Sequence, residues 1–138
     1  MEKNIRIQYL GLQTKEVELK IDSYDKSVAN ELETQLKISN GFSDEDKNHF
    51  VIIFQIILEN KEKNVFIRVE AHNHFEINQE ITKEFENSAF INVNAPAIAF
   101  PYVRAFISNL TLNAGYDPII LPSFNFVKMF EDKKKEQI

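Results

Sequence analysis

Apolar and polar residues alternate with period two through most of the first half of the chain. Ile5, Ile7 and Tyr9 alternate with polar neighbours, and Val17, Leu19 and Ile21 repeat the pattern. A period of two places these residues on one face of a sheet, with Arg6, Gln8, Glu16, Glu18 and Lys20 on the other. After turn chemistry at Ser23–Ser27, Thr34, Leu36 and Ile38 alternate up to a turn cluster at Ser39, Asn40 and Gly41. Phe50–Leu58 (FVIIFQIIL) is apolar at every position but one, which predicts a strand covered on both faces. ENKEKN (59–64) follows as a charged hairpin connection, and Val65, Ile67 and Val69 mark the returning strand. These segments predict an antiparallel sheet of about four strands.

The period then changes. In Ala97–Ala114, Ile98, Tyr102, Phe106 and Leu110, flanked by Ala99, Val103 and Ile107, form a wide helical stripe. Pro96 suits a first turn, and Pro101 requires the helix to begin near Ala97. Gly115 is a stop signal. YDPIILPSF is too rich in proline for a helix and reads as a long ordered loop. Asn125 is placed to cap a final helix carrying Phe126, Val127, Met129 and Phe130, with Lys133, Lys134 and Lys135 at its negative end. The fold expected is α+β: a four-stranded antiparallel sheet, a long helix, a proline-rich loop and a short C-terminal helix, in one domain over residues 1–138.

Composition narrows the function classes. With 43% hydrophobic and 27% charged residues, the chain can build a core. A net charge of -5 disfavours a nucleic-acid partner, and the Lys133–Lys135 run is interleaved with acids. The absence of cysteine excludes disulfides, thiolate zinc sites and cysteine nucleophiles. No apolar run approaches the ~18 residues of a membrane span, so no membrane insertion and a cytoplasmic location are expected. Three glycines leave no phosphate-cradling loop, and no hydrolase motif is present, so the chain is not expected to be an enzyme. His72 and His74 share a strand face and could hold a metal with His49, Glu70 or Glu76. Without a flanking ligand pattern they read as a half-exposed strand end, and neither metal nor cofactor is expected.

Phe100, Tyr102, Tyr116, Ile119, Ile120, Leu121, Phe124, Phe126 and Phe130 gather around the loop, more apolar surface than one sheet and one helix readily cover. They could close the core and a subunit interface, or they could line a groove for extended apolar peptide.

The stretch from Asn94 to Phe130 resembles the SecB family of export chaperones. The shared frame is a proline before the helix, Phe100-Pro101-Tyr102 followed by Arg104, the Gly115-Tyr116-Asp117-Pro118 turn, Leu121-Pro122, Asn125-Phe126 and Phe130. TKEVEL (14–19) resembles the first strand of that family. The resemblance implies an ATP-independent holdase, a homotetramer built as a dimer of dimers, that binds unfolded preproteins and passes them to SecA for export. By position it implies a client groove from Tyr102, Tyr116, Leu121, Phe124, Phe126 and Phe130. It also implies an oligomer interface at Phe106 and Leu110, and a SecA-facing sheet surface at Glu16 and Glu18. Two features depart from the family: Lys20 stands near an expected acid, and the chain ends in KKKEQI where an acidic tail is usual. SecB-like relatives dedicated to the antitoxin of a toxin–antitoxin system share the fold and groove, so the resemblance leaves such an adaptor role as the alternative.

Overall fold

A computed structural model describes residues 4–136. Four strands, β1 (Ile7–Ile21), β2 (Glu33–Phe42), β3 (His49–Asn60) and β4 (Val65–Ile77), form one antiparallel sheet in the order β1-β4-β3-β2. Two short helices, α1 (Lys26–Asn30) and α2 (Lys83–Glu86), precede the long α3 (Ala95–Asn113) and the terminal α4 (Phe126–Glu136). The α+β architecture agrees with the sequence reading.

The alternation sets the layers. Phe50, Ile52, Phe54, Ile56 and Leu58 of β3 and Val65, Ile67, Val69, Ala71, Phe75 and Ile77 of β4 are buried on one face. Ala95, Ala99, Phe100, Val103 and Ile107 of α3 complete the core with Ile119, Leu121 and Phe126. The expectation that β3 is covered on both faces does not hold. Val51, Ile53 and Ile57 are only half-buried and Gln55 is exposed, because α2, α3 and α4 pack on the other side. Burial on both faces belongs to sheets sandwiched between helices, and here the second face lies open.

The two apolar runs in residues 5–21 are one strand. Its register against β4 shifts between Tyr9 and Gly11 and again between Thr14 and Glu16. Each bulge adds one residue, so the pair of them returns Val17, Leu19 and Ile21 to the face of Ile7 and Tyr9. Ser39-Asn40-Gly41 is strand rather than turn, with Gly41 opposite Val51. A Cβ on Gly41 would come within 3.0 Å of the Val51 side chain. The glycine answers a close approach, and the turn follows at Ser43, whose hydroxyl accepts from the Glu45 and Asp46 N–H groups. The turn chemistry at Ser23–Ser27 includes an N-cap: Asp25 accepts from the Val28 N–H at 3.0 Å and starts α1.

The long helix starts earlier than Ala97. A π-helical turn at Phe90–Asn94 runs directly into Ala95, so Pro101 lies inside the helix. Proline there removes the donor to the Ala97 carbonyl, and both residues lie on the water-facing side, where solvent can replace it. Gly115, at φ +102°, ends the helix, and the Tyr116 N–H reaches back to the Thr111 carbonyl at 3.0 Å. Asn125 caps α4 by accepting from the Lys128 N–H at 3.0 Å.

The proline-rich loop is pinned to α3 by two side chains. The buried Ile119 N–H donates to the Thr111 hydroxyl oxygen at 3.0 Å, and the Ser108 hydroxyl donates to the Ile119 carbonyl at 2.7 Å. Replacing Thr111 with valine keeps the volume and strands a buried N–H, so Thr111→Val should lower stability by about 1–3 kcal/mol. Urea unfolding followed by circular dichroism measures this. An unchanged midpoint would show that the pin carries no stability.

Candidate functional site

The six residues assigned to one groove occupy four places. Leu121 and Phe126 are 1% and 8% exposed and belong to the core. The Phe126 ring meets Phe54 of the sheet and Phe100 of α3 at centroid distances of 6.3 and 5.8 Å, and Phe124 closes on Phe100 at 5.3 Å. This knot fastens the loop and the start of α4 to the sheet, with Leu121 sealed in the core and Phe126 exposing only an edge at the surface.

Tyr102 lies on the β1 side, stacked on Tyr9 at 4.5 Å and still 54% exposed. Beneath it the Tyr9 hydroxyl donates to the buried Asn73 at 3.0 Å, and Asn73 donates to the Ile52 carbonyl at 3.1 Å. Burial, with Tyr102 adding to it, pushes the Tyr9 hydroxyl up to about 12, so it remains a donor. Ile98 and Leu112 (53% exposed) share this side of α3 with Tyr102 and Ala105. Phe106 and Leu110, assigned to the oligomer interface, are half-buried and pack against the core.

Tyr116 sits with Tyr24 at 5.4 Å, and the Tyr24 hydroxyl donates to the Asp117 carbonyl at 3.2 Å. Burial, with Asp117 adding to it, raises the pKa of Tyr24, so its hydroxyl is also held as a donor. Beside them a crevice of about 410 Å³ runs between α1 and the loop, and Ile120 in its wall is 68% exposed.

Phe130 lines a trough between β2 and α4. Its deeper part, about 100 Å³, is bounded by Ile38, Asn40, Ile91, Phe126, Met129 and Phe130. A wider mouth of about 300 Å³ continues past Phe42, Asn87, Asn92, Lys133 and Lys134. Lys134 lies 4.3 Å from the centre of the Phe130 ring, which holds a cation at the rim. Phe42 escapes the sequence reading because Ser39-Asn40-Gly41 resembles a strand end, while Ile38 and Met129 read only as strand and helix positions with no signal that α4 packs beside β2.

The open sheet face carries Glu16 and Glu18, both paired with Arg68, the second at 3.1 Å. Lys20 pairs with Glu18 at 3.1 Å. Glu70 accepts from His72 and Gln55 at 2.9 Å each, and these contacts, His72 first, hold its carboxyl below the usual range. A depression of about 370 Å³ between Glu16, Lys37, Ile57, Arg68 and Glu70 is therefore lined by both signs of charge. His49 and His74 stack, with ring nitrogens 3.1 Å apart. Among the described residues no group of three or more His, Cys, Asp or Glu side chains is placed to hold a metal, and no described helix is long and apolar enough to cross a membrane.

The family model described as preprotein translocase subunit SecB matches residues 3–137. An uncharacterized protein of Methanocaldococcus jannaschii is 34% identical over 69% of this chain and 64% of its own length. The protein-export protein SecB of Nitrosomonas europaea is 33% identical over 79% of this chain and 68% of its own length. The chain thus spans about two thirds of the length of these curated relatives. Among solved structures, the SecB-like chaperone of Mycobacterium tuberculosis, in complex with a ChAD peptide from the HigA1 antitoxin, superposes with a TM-score of 0.68. At 15% identity, over 86% of this chain and 91% of that one, the likeness establishes the fold.

The histidine pair generates a pH dependence. Burial first, then the charges of His49, His72 and Lys15, hold the His74 pKa below the usual 6.5. The unfolded chain then binds more protons than the folded one between the two values, so stability rises with pH across that window. This contribution is complete above pH ~6.5 and is lost as pH falls toward the depressed value. Urea midpoints should drop between pH 7.5 and 5.5, and His74→Gln should flatten the drop. An equal drop in the variant would place its origin elsewhere.

Proposed function

The chain belongs to the SecB family, and on that premise we propose that it is an ATP-independent holdase that keeps unfolded polypeptides competent for export. The observation that carries this reading is the trough beside Phe130. It is a shallow channel with an apolar inner part at Ile38, Ile91, Met129 and Phe130, a mainly polar mouth of amides, lysines and Glu86, and no convergent catalytic groups, suited to many weak contacts with an extended chain. Apolar burial at about 25 cal/mol per Å² gives such a surface affinity without strict sequence demands. The net charge of -5 keeps a protein with exposed apolar surface dispersed. The role is cytoplasmic and requires no cofactor.

Within this reading Phe130 and Met129 contact client directly, Tyr116 and Ile120 extend the surface at the crevice, and Phe124 and Phe126 hold its floor. The exposed face of α3, with Ile98, Ala105 and Leu112 spaced by sevens and Tyr102 between them, is the contact to a second copy in a homotetramer. Phe106 and Leu110 back that face from within the protomer. Transfer to SecA would use the face with Glu16 and Glu18. Arg68 and Lys20 already neutralise much of that face, which makes it a weaker electrostatic target than an all-acidic one.

One observation favours a second reading. The Mycobacterium tuberculosis protein of the same fold was solved with an antitoxin peptide. A chaperone dedicated to one such partner would use the same trough with narrower selectivity.

The purified protein should slow aggregation of a chemically denatured, unrelated protein at near-stoichiometric ratio without nucleotide, measured by light scattering. No effect on several such clients would reject the general holdase in favour of the dedicated partner. Met129→Ala with Phe130→Ala should weaken client affinity about tenfold or more, from the apolar area lost. Tyr102→Ala with Leu112→Ala should lower the assembled mass in sedimentation. Unchanged mass would remove α3 as the contact.

A further inference from the structure

Asn40 is the one asparagine in the chain that is followed by glycine. That dipeptide is chemically labile, because a glycine without a Cβ lets its own nitrogen reach the preceding side-chain amide. The fold opposes the reaction. The Ile77 N–H donates to the Asn48 carbonyl at 2.9 Å, so the main-chain groups of Ile77, Phe75 and Asn73 face β3. Asn73 is paired with Ile52, which therefore faces β4, and the preceding residue, Val51, faces β2 and its partner Gly41. The Gly41 N–H is thus held by the Val51 carbonyl, in a strand whose register is unbroken from Glu33 to Phe42. The Val51 side chain also closes on Gly41, 3.0 Å from where a Cβ would stand. This protection has a weak point. Among the described residues β2 pairs only with β3, and the pairing ends at Phe42, so this end opens before the centre of the sheet does.

We propose that Asn40 is a fold-gated deamidation site, which keeps its amide while β2 is paired and becomes aspartate or isoaspartate when the end of β2 opens. On opening, the Gly41 nitrogen forms a bond to the side-chain carbonyl carbon of Asn40. The side-chain nitrogen leaves as ammonia, taking up the proton that Gly41 loses. Water then adds to either carbonyl of the resulting imide and reopens it, so the net change is one water in and one ammonia out. The two products act differently on the sheet. Asn40 lines both the deep part and the mouth of the trough, with Lys133. Aspartate keeps the main chain intact and adds a carboxylate to a mouth that holds Lys133, Lys134 and one acid, Glu86. Isoaspartate routes the chain through the side-chain carbon, lengthens it by one atom, and pulls Gly41 and Phe42 out of register with Val51 and Phe50.

The test uses the full chain. Trypsin releases residues 38–47, in which Asn40 carries the sole side-chain amide. Mass spectrometry of that fragment, after incubation at mildly alkaline pH, should show conversion about tenfold or more faster in unfolding urea than in native buffer. Gly41→Ala should slow the reaction in urea, a measurement for which the variant need not fold. In native buffer, hydrogen exchange should find the Gly41 amide protected, as the register requires. Asn40→Asp should keep the wild-type urea midpoint, whereas the isoaspartyl form, separated after unfolding and refolding, should unfold at lower urea. Equal rates in the folded and unfolded chain, or an unprotected Gly41 amide, would overturn the gate. An amide that survives in urea would overturn the site itself, and equal midpoints for the two products would overturn their different effects on the sheet.

Discussion

The molecule depends on keeping a loop ordered that has almost no secondary structure of its own. Residues between α3 and α4 must cover the core face of the sheet with Ile119 and Leu121, yet a buried connector needs partners for its main-chain groups. Thr111 and Ser108, one turn apart on α3, supply both: one accepts from Ile119 and the other donates to it. Thr111 is itself fully buried and is satisfied by donating to the main chain of its own helix, through Ile107 or Ser108. With the loop fixed at Ile119, its two prolines limit the remaining freedom, and Phe124 and Phe126 reach Phe100. Only then does α4 lie where Met129 and Phe130 can form a wall against β2.

This explains why the aromatic residues divide as they do. A ring that anchors the loop must be buried, and a ring that contacts a partner must not be. Phe100 and Phe126 serve the first purpose, and Phe130 and Tyr102 keep the exposure that the second requires. Both kinds occur within one short stretch of sequence, so conserving the spacing of the family frame preserves the scaffold and the surface together. Phe126 illustrates the cost of confusing them: truncating it would open a cavity beneath the trough, and a loss of binding could not be separated from a loss of stability of about 3–5 kcal/mol.

The order of strands and helices was legible in the sequence because alternation and helical spacing are direct consequences of burial on one side. Facing was less legible. Ile98, Tyr102, Phe106 and Leu110 looked like one stripe, but a step of four residues overshoots a turn by about 40°, so the series winds from the exposed side of α3 toward the core. The sevenfold spacing of Ile98, Ala105 and Leu112 stays on one side and was the better signal. Gly41 looked like a turn because glycine ends strands more often than it fits inside them, and its reason for being there, the side chain of Val51, lies on another strand. Bulges in β1 were hidden for a related reason: two insertions cancel in parity and leave the alternation looking regular. Tyr102, beside β1, and Phe130, beside β2, stand at opposite edges of the sheet, and that separation could not be read without the strand order.

An exposed sheet edge is normally a hazard, because any extended chain can pair with it. This fold interrupts one edge twice and leaves the other regular. If solubility alone had shaped the protein, the regular edge would be the one to disrupt. It is instead the edge that borders the trough, beneath a helix whose last turns carry lysines rather than apolar residues.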